Sequence, residues 1–168
     1  MRNFMAVLGI LALSATAAPV SRAATEGAAP APWSPTADEL EVYQMLSMRD
    51  GTPDCATVEA SVQDPVPVLV SVAEHATLPP AVGVRAAHCL TTRHASEAKA
   101  TLLSWVVDPA RRGFAILIAD DLGAMPEDVA LEVAKAGLAG PHATTLNRRV
   151  GRSSWPSVAA LATVPPTK

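Results

Sequence analysis

The sequence predicts an all-α fold, a short stack of antiparallel helix pairs. Three observations predict it. Apolar residues recur at helical spacing from Leu40 to Val150. Pro35, Pro65, Pro109 and Pro141 stand directly after Ser, Asp, Asp and Gly, where proline suits a turn or the first turn of a helix. Finally, the segments overlay on one another at a period of about 32 residues.

Residues 1–23 read as a secretory leader. Arg2 gives a positive start, Phe4 to Leu13 is an apolar run, and Ser21-Arg22-Ala23 offers small residues to a signal peptidase. The run is shorter than the roughly 20 residues a membrane anchor needs. A soluble protein, periplasmic or secreted, with no membrane anchor after cleavage, is expected. Residues 24–34, rich in Ala, Pro and Gly, read as a flexible linker.

The N-terminal helices are expected within 35–63. Thr36 followed by Glu39 is a capping box, with Leu40, Tyr43, Leu46 and Met48 behind it. Asp50-Gly51 and Pro53 end that helix, and Asp54 caps a second to about Val62. Residues 64–157 carry the repeating pattern. Asp64-Pro65 opens a helix with Leu69, Val72 and Ala73 on one face, and Pro79-Pro80 breaks the chain before a second with Val82, Ala86 and Leu90. Ser96 stands where a cap is needed before Leu102, Leu103, Val106 and Val107. Phe114, Ile118 and Leu122 follow, then Val129, Val133 and Leu138 after Pro126, and last Leu146 and Val150. Residues 158–168 read as a tail.

A shift of 32 places Val82, Ala86 and Leu90 on Phe114, Ile118 and Leu122, and a second places Phe114 and Ile118 on Leu146 and Val150. Two helices per period is the pattern of an α-solenoid. One segment competes. Gly113 to Asp121 also reads as a buried strand ending in a carboxylate pair, but its apolar residues match the helical overlay, and a lone strand makes no sheet.

Asp64–Thr92, Ser96–Met125 and Pro126–Ser154 resemble HEAT-like repeats. The likeness lies in Asp-Pro or Gly-Pro at turns, in Val84-Arg85-Ala86-Ala87 within a second helix, and in the Ala and Leu spacing. The resemblance implies a non-catalytic, protein-binding scaffold, with no catalytic residues and no cofactor.

Apolar residues are 49% of the chain and aromatics 4%, so the core must be built from Ala, Val and Leu. Without residues 1–23 the chain holds 11 basic and 16 acidic residues, a balance that argues against a general nucleic-acid partner. Charge is uneven: residues 24–64 hold eight acids and one arginine, whereas 141–168 hold Arg148, Arg149, Arg152 and Lys168 with no acid. Arg85, Arg111, Arg112, Arg148, Arg149 and Arg152 fall on or beside second helices. They are the candidate partner-binding residues, suited to gripping carboxylates on another protein or an anionic surface. A self-associating structural subunit, acidic end to basic end, is a different reading of the same asymmetry.

Cys55 and Cys89 are the two cysteines, and in an oxidising compartment an even count favours a bridge. Unpaired, they would pack as small apolar residues. A metal-binding protein or an enzyme would draw on His75, His88 and His94, or on Ser96 and Lys99, which match S-x-x-K. The histidines lack the i, i+3 or i, i+4 spacing of a tight site, and no K-T-G or S-D-N partner accompanies Ser96.

Overall fold

The computed structural model describes residues 33–51, 54–76 and 79–162. The leader at 1–23, nearly all of the linker and the end of the tail lie outside them. Among the described residues the structure is helical, with no strand. The order is α1 (Ala37–Ser47), α2 (Cys55–Ala60), α3 (Pro65–His75), α4 (Pro80–Arg93), α5 (Lys99–Val107), α6 (Arg112–Asp120), α7 (Glu127–Ala139), α8 (Ala143–Val150) and α9 (Pro156–Ala159). A 3-10 turn, Pro109–Arg111, leads into α6. The segment that competed as a strand is helix α6.

Local chemistry sets the boundaries. The Thr36 hydroxyl accepts from the Glu39 N–H at 3.3 Å, and the Glu39 carboxylate accepts from the Thr36 N–H at 2.7 Å, completing the capping box. Asp54 caps α2 by accepting from the Thr57 N–H at 2.8 Å, which holds its carboxyl below the ordinary range. Pro65 and Pro80 each open a helix, where no backbone N–H is required. Ser96 caps nothing. The chain runs from α4 through a turn at 95–98, in which the Ala98 N–H donates to His94 O at 2.8 Å, and α5 starts only at Lys99.

Sequence neighbours pack as pairs: α3 on α4, α5 on α6, α7 on α8. Each pair meets the next through like members, α4 on α6 on α8 and α5 on α7 on α9, while α1 lies on both α3 and α4. Of the overlaid positions, Val82, Ala86, Leu90, Ile118, Leu122, Leu146 and Val150 are buried and Phe114 is half-buried. With few aromatics, close approach replaces bulk. A Cβ on Gly83 would lie 3.0 Å from Ala73 O, and one on Gly137 would lie 2.9 Å from both Leu146 Cδ1 and Val106 Cγ2. Gly137 therefore lets α7 close against α8 and α5 together. Trp105 is the largest fully buried side chain, stacked on Phe114 with ring centroids 4.7 Å apart.

Polar contacts between elements repeat the same interval. Side-chain hydrogen bonds join residues 30 to 34 apart: Arg93 to Glu59, His88 and Thr91 to Asp121, Trp105 to Glu74, Lys99 to Glu132, His142 to Asp108, and Trp155 to Met125. Arg85 reaches further, 39 and 37 residues back to Leu46 O and Met48 O.

Cys55 and Cys89 are bridged, with their Cα atoms 5.3 Å apart. The bridge ties the first residue of α2 to the middle of α4. Closing a loop of this length stabilises the fold by about 4 kcal/mol on the chain-entropy estimate. We expect Cys55→Ser/Cys89→Ala to lower the urea midpoint by that order without loss of helical circular dichroism. Reductant should then affect the wild type and leave the variant unchanged.

A second expectation concerns acid. Glu39 is held below its ordinary carboxyl range, first by the Ser71 hydroxyl and then by the Thr36 N–H. A lowered native pKa stabilises fully above the unfolded value, about 4.3, and the contribution fades as pH falls through the native one. Glu39→Gln, which keeps the cap and removes the charge, should therefore be less stable at pH 7 by a few tenths of a kcal/mol at this exposed site, with the gap narrowing as pH falls through the native value in paired urea titrations.

Candidate functional site

The six arginines divide into two sets. Arg85 is half-buried and its Nη1 donates to Leu46 O at 2.6 Å and Met48 O at 2.9 Å. These carbonyls end α1, so a cation from α4 satisfies acceptors that the helix itself cannot reach. Arg111 lies over the rings of Trp105 and Phe114, 5.7 and 5.9 Å from their centroids, and pairs with Glu74 at 3.3 Å and Asp108 at 3.2 Å. Arg149 sits with its Nε 3.0 Å from Asp120 Oδ1. Those three are engaged within the chain. Arg112, Arg148 and Arg152 are exposed and have no partner among the described residues.

The histidines stand apart. His75 stacks on Trp33 with centroids 6.1 Å apart and contacts Ser71 O at 2.9 Å. His88 Nδ1 lies 2.8 Å from Asp121 Oδ2, which fixes the proton on that nitrogen as the donor. His94 lies 3.2 Å from Glu59 and 3.7 Å from Glu97. Cys89, bound in the disulfide, offers no thiolate. Among the described residues no group of three or more His, Cys, Asp or Glu side chains is placed to hold a metal. Ser96 is exposed, and the Lys99 ammonium donates to Glu132 at 2.6 Å, so the lysine is committed to a carboxylate rather than to activating a hydroxyl.

Two open grooves, each of about 350 Å³, meet at Gly123 in the loop between α6 and α7. One is lined by Asp120, Gly123, Arg149, Arg152, Ser153 and Ser154. The other runs between the α4–α5 turn and the α6–α7 loop, past His94, Ser96, Glu97 and Trp155. Trp155 is anchored there, its Nε1 donating to Met125 O at 3.0 Å. Arg149 and Arg152 were legible as candidates, but the groove was not. Its walls come from α8 and from a loop one period earlier. The signal lay in Ser153-Ser154 beside Arg152, set 31 residues from Gly123, whose carbonyl accepts from Ser154 at 3.4 Å.

Comparison with known proteins returns no match: no family model, no curated protein and no solved structure. No helix among the described residues is long and apolar enough to cross a membrane.

The division of the arginines is testable by stability alone. Arg85→Ala removes the cation that serves the Leu46 and Met48 carbonyls and should cost about 1–3 kcal/mol, whereas Arg148→Ala should stay within about 0.5 kcal/mol. Urea unfolding of the two variants beside the wild type measures both, and equal losses would erase the distinction.

Proposed function

We propose that this chain is an exported, non-catalytic helical-repeat protein, a HEAT-like α-solenoid whose α8 end binds another protein. The repeat reading is supported by the packing of like helices and by polar bonds at an interval of 30 to 34 residues. In a solenoid each unit contacts only its neighbours, so contacts recur at one period. Export is supported by the leader-like residues 1–23 and by the bridge between Cys55 and Cys89, a bond that persists in oxidising compartments.

The observation that carries the binding reading is the pair of unspent arginines at the C-terminal end of α8. Arg148 lies in the last turn of α8 and Arg152 in the turn just beyond its Gly151 cap, and both are exposed without a partner among the described residues. No acidic residue follows Glu132 in the sequence, so nothing nearby along the chain offsets them. Guanidinium groups held in this way favour an anionic protein surface. A partner captured from an envelope extract on immobilised wild type should fall at least tenfold on Arg148→Ala/Arg152→Ala, for two charge-assisted contacts of about 1.4 kcal/mol or more. Equal retention by both proteins overturns the assignment to this face.

A further inference from the structure

We propose that the groove beside α8 seats a single carboxylate from an acidic side chain in an extended segment of the partner. The proposal rests on α8 being the docking surface and names the chemistry that surface selects. The groove has space of about 350 Å³ and is lined by Asp120, Gly123, Arg149, Arg152, Ser153 and Ser154.

Its unspent donors are Arg152 and Ser153. Arg149 Nε is buried and, although 3.0 Å from Asp120 Oδ1, makes no aligned hydrogen bond. The Asp120 carboxylate beside it compensates its charge, so Arg149 forms the wall of the groove and an arriving anion is drawn to the donors at the rim. Arg152 at the rim is exposed and unpaired among the described residues. Ser153 Oγ accepts from the Trp155 N–H at 3.3 Å, which leaves its hydroxyl hydrogen free to donate. Gly123 lets Ser154 close against the α6–α7 loop, because a Cβ there would lie 2.6 Å from Ser154 Oγ.

Charge decides which anion fits. Two guanidinium groups and the Asp120 carboxylate leave one net positive charge in the groove. One carboxylate balances it. A phosphomonoester brings nearly two negative charges at neutral pH, and the second meets Asp120. Asp120 thus acts as the discriminating residue. It holds Arg149 in place and penalises a dianion.

The test uses the folded chain and three short fluorescein-labelled peptides of matched length, read by fluorescence anisotropy. One is rich in Glu, one has Gln in place of Glu, and one has phosphoserine in place of Glu. The wild type should bind the Glu peptide, bind the Gln peptide at least tenfold more weakly, and prefer Glu over phosphoserine. Arg152→Ala, at an exposed position, should keep its helical circular dichroism and lose about tenfold in affinity for the Glu peptide. Asp120→Asn should raise affinity for the phosphoserine peptide more than for the Glu peptide. Binding of Glu and Gln peptides with equal affinity, or indifference to Arg152→Ala, overturns the carboxylate seat. A wild type that prefers phosphoserine overturns the choice of anion.

The two readings fail separately. Retention of the extract partner by wild type and its loss on Arg148→Ala/Arg152→Ala, with no discrimination among the peptides, rejects the groove alone. Failure to retain any partner rejects the docking surface itself.

Discussion

A pair of short helices made of alanine, valine and leucine has more apolar surface than it can bury within itself. Coverage has to come from the next pair, about one period along the chain, and that requirement governs most of what the structure displays. It explains why Ile118 is buried on α6, a helix that packs on both α4 and α8, and why Leu122 is buried in the turn after it. It also explains the glycines at closest approach. Gly137 on α7 faces Leu146 of its own pair and Val106 of the preceding one, so a single missing side chain admits two neighbours at once. Where an aromatic core would fill space, this one removes it.

The same neighbour dependence orders the polar groups. Glu74 on α3 accepts from the Trp105 indole and pairs with Arg111, and Glu132 on α7 takes the Lys99 ammonium. Each carboxylate thus serves the adjoining unit. These contacts are partly exposed and individually small. Their value lies in register, since a pair displaced along its neighbour would leave the indole N–H of a fully buried tryptophan without an acceptor. Hydrophobic faces drive the stacking, and the polar bonds fix how far each unit slides.

What could be read from the sequence follows the range of the interaction involved. The capping box at Thr36 and Glu39, the Asp54 cap and the proline-led helices depend on residues within a few positions, and they stand where the sequence placed them. The disulfide was legible because two cysteines allow one pairing. Ser96 misled because its fate depended on the turn that α4 makes into α5, and a serine near a helix start has the same letters whether or not it caps. The arginines were legible as a set but not individually. Arg85 and Arg152 look alike in sequence, and only the placement of the α1 C-terminus, 37 to 39 residues away, makes the first a structural cap.

The acidic pair at the end of α6 brings these strands together. Two carboxylates at a helix C-terminus oppose the helix dipole, so Asp120 and Asp121 are a local cost that helix propensity does not offset. Adjacent residues on a helix point about 100° apart, and here the divergence is used. Asp121 turns back to His88 and Thr91 on α4, while Asp120 turns forward to Arg149 on α8. The two side chains therefore tie one helix end to the units on both sides of it. The Arg149 cation on one side and the His88 and Thr91 hydrogen bonds on the other offset the unfavourable dipole contact, and the offset exists only when both neighbours are in place. A terminus that would weaken α6 in isolation instead makes its stability conditional on the stack. The forward half of that arrangement also sets the wall of the α8 groove, so the charge that lines it is the same charge that joins α6 to α8.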